Sequence, residues 1–183
     1  MDDLARAAGV GLLVVAASAV VAGDGPEAAL VNEHANSAGT YTLRTPEDWV
    51  VESHPGVPEV TEARGGSLIV RILRREGEVG LDAYHVQCMQ ERLADPMKAA
   101  PQVDYEYDFR QGWIGDRKAL DSAFVVHYDE AVEGHADWRQ RHVTVIGGGE
   151  SLCVVGMAPR RVWKKSGEER ALLNAVMTSV RLE

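Results

Sequence analysis

Six histidines, two cysteines and a triple glycine are the residues of this chain with chemistry to offer. His127 and His142 fall on the two strands of an expected hairpin, near one another and facing the same side. Zinc would need a third and a fourth ligand there. No C-x-x-C, H-x-x-x-H or H-E-x-x-H spacing occurs, so the pair reads as partly exposed sheet histidines and no metal is expected. Serine chemistry favours a G-x-S-x-G elbow, which Gly148-Gly149-Glu150-Ser151-Leu152 does not match. Gly147-Gly148-Gly149 lacks the Lys-Ser/Thr and the helix of a phosphate loop, and reads as a hairpin turn in which glycine tolerates positive φ. No catalytic residue and no cofactor is expected.

Two weaker constellations remain. Cys88 and Cys153 are an even pair, and in an exported protein such a pair can form a disulfide. Both also fall on apolar faces, where a reduced cysteine behaves as a small hydrophobe; either state fits the sequence. Trp113 stands among glycines beside Arg117 and Lys118, and an exposed tryptophan flanked by cations is a candidate anchor for a protein partner. Trp49, after a P-x-x turn, reads as a plug for one end of the core. Tyr105 and Tyr107 share a face and read as core.

These residues need strands and helices to place them. Thr40 to Leu43 alternates as a strand, and Trp49 to Glu52 starts another. Ser53 to Ala63 contains Pro55, Gly56 and Pro58 and is expected to cross irregularly. Ser67 to Leu73 is apolar on both faces, which fits a central strand covered from both sides. Val79 to Leu93 has the spacing of an amphipathic helix, stopped by Asp95-Pro96. Val103 to Phe109 alternates aromatic with acidic residues. Ala119 to Ala131 and Ala136 to Ile146 form a hairpin about Glu133-Gly134, in which pairing Val132 with His135 would set Tyr128 opposite Arg139. Leu152 to Val155 is the last clear strand, and Glu168 to Val180 supplies a closing helix.

Length and charge bound what such a chain does. The 183 residues suit one domain with an N-terminal extension. A net charge of −9 argues against nucleic acid as a partner, because phosphate neutralisation needs clustered Lys and Arg. The short pairs Arg74-Arg75, Arg160-Arg161 and Lys164-Lys165 read as solvated loop or helix ends. Ala7 to Ala22 is an apolar run resembling the core of a signal peptide, shorter than the roughly 20 residues of a membrane span. Residues 1–22 are therefore expected to be a signal peptide or membrane tether, 23–38 a linker, and 39–183 a single domain. The expected location is exported, periplasmic or extracytoplasmic.

The order of motifs is familiar. Tyr41-Thr42-Leu43-Arg44-Thr45-Pro46-Glu47-Asp48-Trp49 resembles the opening of the PsbP-like and DcrB-like families, an aromatic strand followed by a P-x-x-W turn. The glycine-led strand Gly65 to Leu73, a helix, a long hairpin and the final Met177-Thr178-Ser179-Val180-Arg181-Leu182 follow in the same order. Leu182 stands where an aromatic is more usual. The resemblance spans 39–183 and implies an α+β fold, an antiparallel sheet of about six strands with helices on both faces. It implies protein binding without chemistry: an accessory or adaptor protein with an unidentified protein partner. A carrier of an apolar small molecule or lipid is the alternative, and a hydrolase whose residues meet only in three dimensions the third.

Overall fold

Glu150–Pro159 is buried at every residue, and the rest of the molecule is laid down around it. The computed structural model describes residues 25–56, 58–77, 79–93, 102–114, 117–132 and 134–183. The apolar run at 7–22, the Asp95-Pro96 helix stop and the Glu133 turn residue lie outside the described residues. A short 3-10 turn, Pro26–Ala29, precedes strands β1 (Asn32–Ala35), β2 (Tyr41–Thr45), β3 (Val50–His54), β4 (Glu59–Gly65) and β5 (Leu68–Glu76). Helix α1 (Leu81–Leu93) follows, then β6 (Gln102–Ile114), β7 (Arg117–Val132), β8 (His135–Gly147) and β9 (Glu150–Pro159). The chain ends with α2 (Arg160–Lys165), α3 (Gly167–Thr178) and β10 (Arg181–Leu182).

Seven strands form one antiparallel sheet in the order β3-β4-β5-β9-β8-β7-β6, and β1-β2-β10 form a second, smaller one. The expected single sheet of about six strands is thus replaced by two sheets. Three strands absent from the sequence expectation, β1, β4 and the two-residue β10 paired with β2, account for the difference. Residues 53–63 do not cross irregularly: β4 starts just after Pro58 and pairs with β3 and β5, Thr61 opposing Ser53 and Ile72. Part of the expected 23–38 linker is strand β1, paired with β2 from Asn32 opposite Thr45 to Ala35 opposite Thr42.

The two faces of β5 and β9 go to different cores. Val70, Ile72, Leu152 and Val154 pack with Leu173, Val176 and Met177 of α3. Ile69, Leu73, Cys153 and Val155 pack with Tyr84 and Cys88 of α1. That parity is the pattern of a strand buried on both sides, and each fully buried apolar side chain contributes about 1.5–3 kcal/mol. Helix α3 starts where Ser166 accepts a 3.1 Å hydrogen bond from the Glu169 backbone N–H, with Glu168 and Glu169 in its positive first turn. The helices do not cover the large sheet evenly. Its outer strands β3 and β6 are mostly exposed. No helix among the described residues is long and apolar enough to cross a membrane.

The hairpin of β8 and β9 turns through Gly148 and Gly149, at φ 66° and 80°, between paired Gly147 and Glu150. Two successive positive φ values give the turn whose twist matches its strands. The β7–β8 hairpin is less regular. Val132 does oppose His135, but His127 opposes Asp137, so β7 takes five steps while β8 takes two. Arg139 therefore faces Val125 and not Tyr128. The parity also separates the two histidines, since His127 and His142 point to opposite faces of the sheet.

Candidate functional site

His85 is fully buried because it lies on the sheet-facing side of α1, next to buried Tyr84 and one turn before buried Cys88 and Met89. Its Nδ1 is 2.7 Å from Thr144 Oγ1 and its Nε2 is 2.8 Å from Ser122 Oγ. Ser122 donates its single hydroxyl proton to Asp108 Oδ1 at 2.5 Å. Nε2 must then carry the imidazole proton and donate it to Ser122, while Nδ1 accepts from Thr144. The Phe109 backbone N–H also donates to Ser122 Oγ, at 3.1 Å.

A serine, a histidine and an aspartate in contact invite comparison with a catalytic triad, and the directions of the bonds decide it. In a triad the carboxylate orients the histidine, which accepts the serine proton. Here the carboxylate takes the serine proton and the histidine donates to the serine. Ser122 is also fully buried. The chain of bonds fastens α1 to β7 and β8 and leaves no activated nucleophile. Burial holds the His85 pKa below its ordinary value, against the opposing pull of Asp108, Asp121 and Asp82.

A second buried imidazole lies behind it. His142 Nε2 is 3.1 Å from Gln140 Oε1, and Gln140 Nε2 donates to Tyr128 Oη at 3.1 Å. Burial, and then the nearby His85, depress the His142 pKa to about 3. Its Nδ1 is 4.0 Å from the Cys153 sulfur. Cys88 and Cys153 are thiols within one apolar cluster. Among the described residues, no group of three or more His, Cys, Asp and Glu is arranged to hold a metal ion. His127 is instead clamped between two carboxylates, 2.9 Å from both Asp104 and Asp137. Its hydrogen bonds to Asp104 and Asp137 raise its pKa.

The exposed aromatic side chains are on β6, one of the two outer strands. Tyr105, Phe109 and Trp113 are 54%, 45% and 61% exposed. The strict alternation read from Val103 to Phe109 fails because β6 slips register twice, between Tyr105 and Tyr107 and between Tyr107 and Arg110. Such bulges reverse the side to which the following residues point. The Tyr105 ring lies tilted against that of Phe124, with centroids 5.5 Å apart, whereas Tyr107 turns to the other face and donates to Asp121 at 3.0 Å. The two tyrosines share no face, and Tyr105 is not core. Phe109 adopts φ 50°, a strained value for a bulky side chain, and its ring lies 5.5 Å from that of His85.

A groove of about 710 Å³ runs between this strand and α1, lined by Asp82, Val86, Gln87, Gln90, Phe109 and Leu120 among others. The residues singled out from the sequence lie at the end of the same strand. Trp113 pairs with Lys118 of β7, and both are exposed. Arg117 lies apart from them: its guanidinium rests over Gly147, where a side chain would otherwise stand. Tyr105 and Phe109 are the members that sequence reasoning missed, because perfect alternation assigned them to the interior.

No protein-family profile matches the chain, and no curated protein does. Solved structures do. The cyanobacterial PsbP protein (CyanoP) of Synechocystis sp. PCC 6803 aligns over 98% of this chain and 99% of its own, at a TM-score of 0.62 and 12% identity. A protein of Bacteroides thetaiotaomicron aligns over 82% of this chain and 48% of its own, at 0.51 and 10%. The Ran-binding protein Mog1p of Saccharomyces cerevisiae aligns over 84% and 96%, at 0.51 and 8%. At these identities the likeness is one of fold, and the fold is PsbP-like.

Proposed function

We propose that this protein is a noncatalytic accessory or adaptor protein of the cell envelope, and that it binds an extended segment of another protein along β6. One observation carries the proposal: a strand at the edge of the sheet, with no outer neighbour among the described residues, displaying three exposed aromatic side chains beside an open groove. Large hydrophobic side chains cost free energy in water, and Trp and Tyr are the residues that most often anchor interfaces. Arg110 to Ile114 stays in regular register with Asp121 to Arg117, so a partner strand can add there by main-chain hydrogen bonding. Asp82, Asp104 and Asp108 are exposed nearby, which favours a segment carrying Lys or Arg. Mog1p, of similar fold, is by its name a Ran-binding protein, so the fold is compatible with such a role.

The groove favours this over an apolar carrier, since Asp82, Gln87 and Gln90 among its lining residues suit a peptide better than a lipid tail. Export, a tether through residues 7–22 and kinship with the DcrB-like proteins belong to the same proposal, supported by the apolar run and the order of motifs. The test compares capture from the native envelope by the wild type and by Trp113→Ala and Tyr105→Ala, followed by titration with the purified partner. An affinity loss of tenfold or more in the Trp113 variant is expected. A partner that binds both variants as tightly as the wild type places the interface elsewhere.

A further inference from the structure

Four of the chain's 19 Lys and Arg residues fall within the six residues of α2. Arg160 and Lys164 are one turn apart and share a side. Trp163 packs toward the core beneath the Arg139 guanidinium, 3.7 Å from its ring centre. The cationic side of the helix therefore looks outward, onto the start of β8. A notch of about 510 Å³ opens there, lined by His135, Asp137, Arg160, Arg161 and Lys164 among others.

These cations are poorly neutralised by the described residues. Arg160 meets Asp137 only at 3.6 Å, and its Nε is buried with no acceptor among the described residues. Asp137 is engaged more closely by His127, at 2.9 Å. Arg161 Nη2 faces the imidazole Nε2 of His135 at 3.4 Å, where a carboxylate would be the favourable neighbour. Lys164 makes no ion pair with a described residue. Positive groups held around a concave space, on a chain that is otherwise strongly acidic, raise the local concentration of anions.

We propose that this notch binds a phosphate-type oxyanion, held by Arg161 and Lys164, with Arg160 turning from Asp137 to join them. The inference is independent of the β6 interface. A tetrahedral dianion offers acceptors to all three cations at once, and the guanidinium fork matches two of its oxygens. A single carboxylate would leave one of the cations unserved. The space exceeds one phosphate group, so the remainder of the ligand is a phosphate ester or the headgroup of an anionic lipid.

The experiment titrates the full chain with pyrophosphate at low ionic strength, followed by backbone amide NMR and calorimetry, and with vesicles of phosphatidic acid or of phosphatidylcholine alone. Saturable shifts confined to residues 134–137 and 160–165 are expected. The double substitution Arg161→Gln and Lys164→Gln should weaken binding tenfold or more, while Arg181→Gln, a distant cation, should leave it unchanged. Pyrophosphate binding without vesicle binding assigns the site to a soluble phosphate compound. Vesicle binding alone, lost in the double variant, identifies a lipid headgroup. Failure of both probes, binding retained in the double variant, or equal weakening by Arg181→Gln overturns the proposal. An unaltered melting curve for the double variant excludes misfolding as the cause of lost binding.

Discussion

A seryl hydroxyl has one proton to give, and the fate of that proton separates a structural serine from a nucleophile. Ser122 gives its proton to Asp108 and receives hydrogen bonds from His85 and the Phe109 backbone. Ser122→Ala would strand the buried Nε2 proton of His85 without an acceptor. Leaving a buried polar group unsatisfied costs about 1–3 kcal/mol, so the urea midpoint should fall accordingly. Asp108→Ala should cost less, because Asp108 is exposed and water can replace it. A Ser122→Ala protein as stable as the wild type would mean that the relay does not fasten the helix. The same arrangement explains Phe109: its N–H is drawn to Ser122 and Asp108, which offsets part of the cost of its left-handed backbone.

At the level of elements, the turn between β4 and β5 is fitted to one ring. A side-chain carbon at Gly65 would stand 1.9 Å from the Trp49 indole nitrogen, and Trp49 is buried. Gly65→Ala must displace the ring from the end of the core, at about 1–3 kcal/mol, with a red shift in tryptophan emission; unchanged stability would show that the ring has room to move. That plug was legible in the P-x-x-W spacing, as were β5, α1, α3 and the glycine hairpin, because each is long, strongly periodic or punctuated by glycine. Strand β1 was not, since Asn32-Glu33-His34-Ala35 has little β-propensity and is held by its pairing with β2. Strand β4 was hidden by the prolines before it. The doubled bulge in β6 escaped because period-two alternation describes an ideal strand, and with it went the exposure of Tyr105 and Phe109. The buried relay had no local signature, as its histidine partners lie 37 and 59 residues away in sequence. Trp113 was legible for a simpler reason: glycine and charged neighbours offer a tryptophan nothing to pack against.

The response of the whole molecule to pH follows from where its histidines sit. His85 and His142 have folded-state pKa values below the ordinary value of 6.5, in both cases chiefly through burial. The unfolded chain therefore takes up protons first, and their contribution to stability is lost as pH falls below about 6.5. His127 has the opposite sign. Asp104 and Asp137 raise its pKa, so its contribution is complete below the unfolded value and is lost as pH rises through the folded one. Glu62 and Asp137 have lowered pKa values and weaken the fold only in a more acidic window, below about 4.5. The expected profile is a dome with its maximum close to neutrality. Between about pH 6.5 and 4.5 each buried imidazole contributes at most about 1.4 kcal/mol per pH unit. Replacing His142 with Gln should lower the stability at neutral pH and flatten the acid limb by the slope of one proton. His127→Gln should leave the limb between about pH 6.5 and 4.5 intact, relieve part of the loss below about 4.5 because His127 holds the Asp137 pKa down, and flatten the alkaline side. Urea denaturation of the three proteins across pH 4 to 9 reads both limbs. An acid limb equally steep in the His142 variant would mean that this imidazole does not stay neutral in the core.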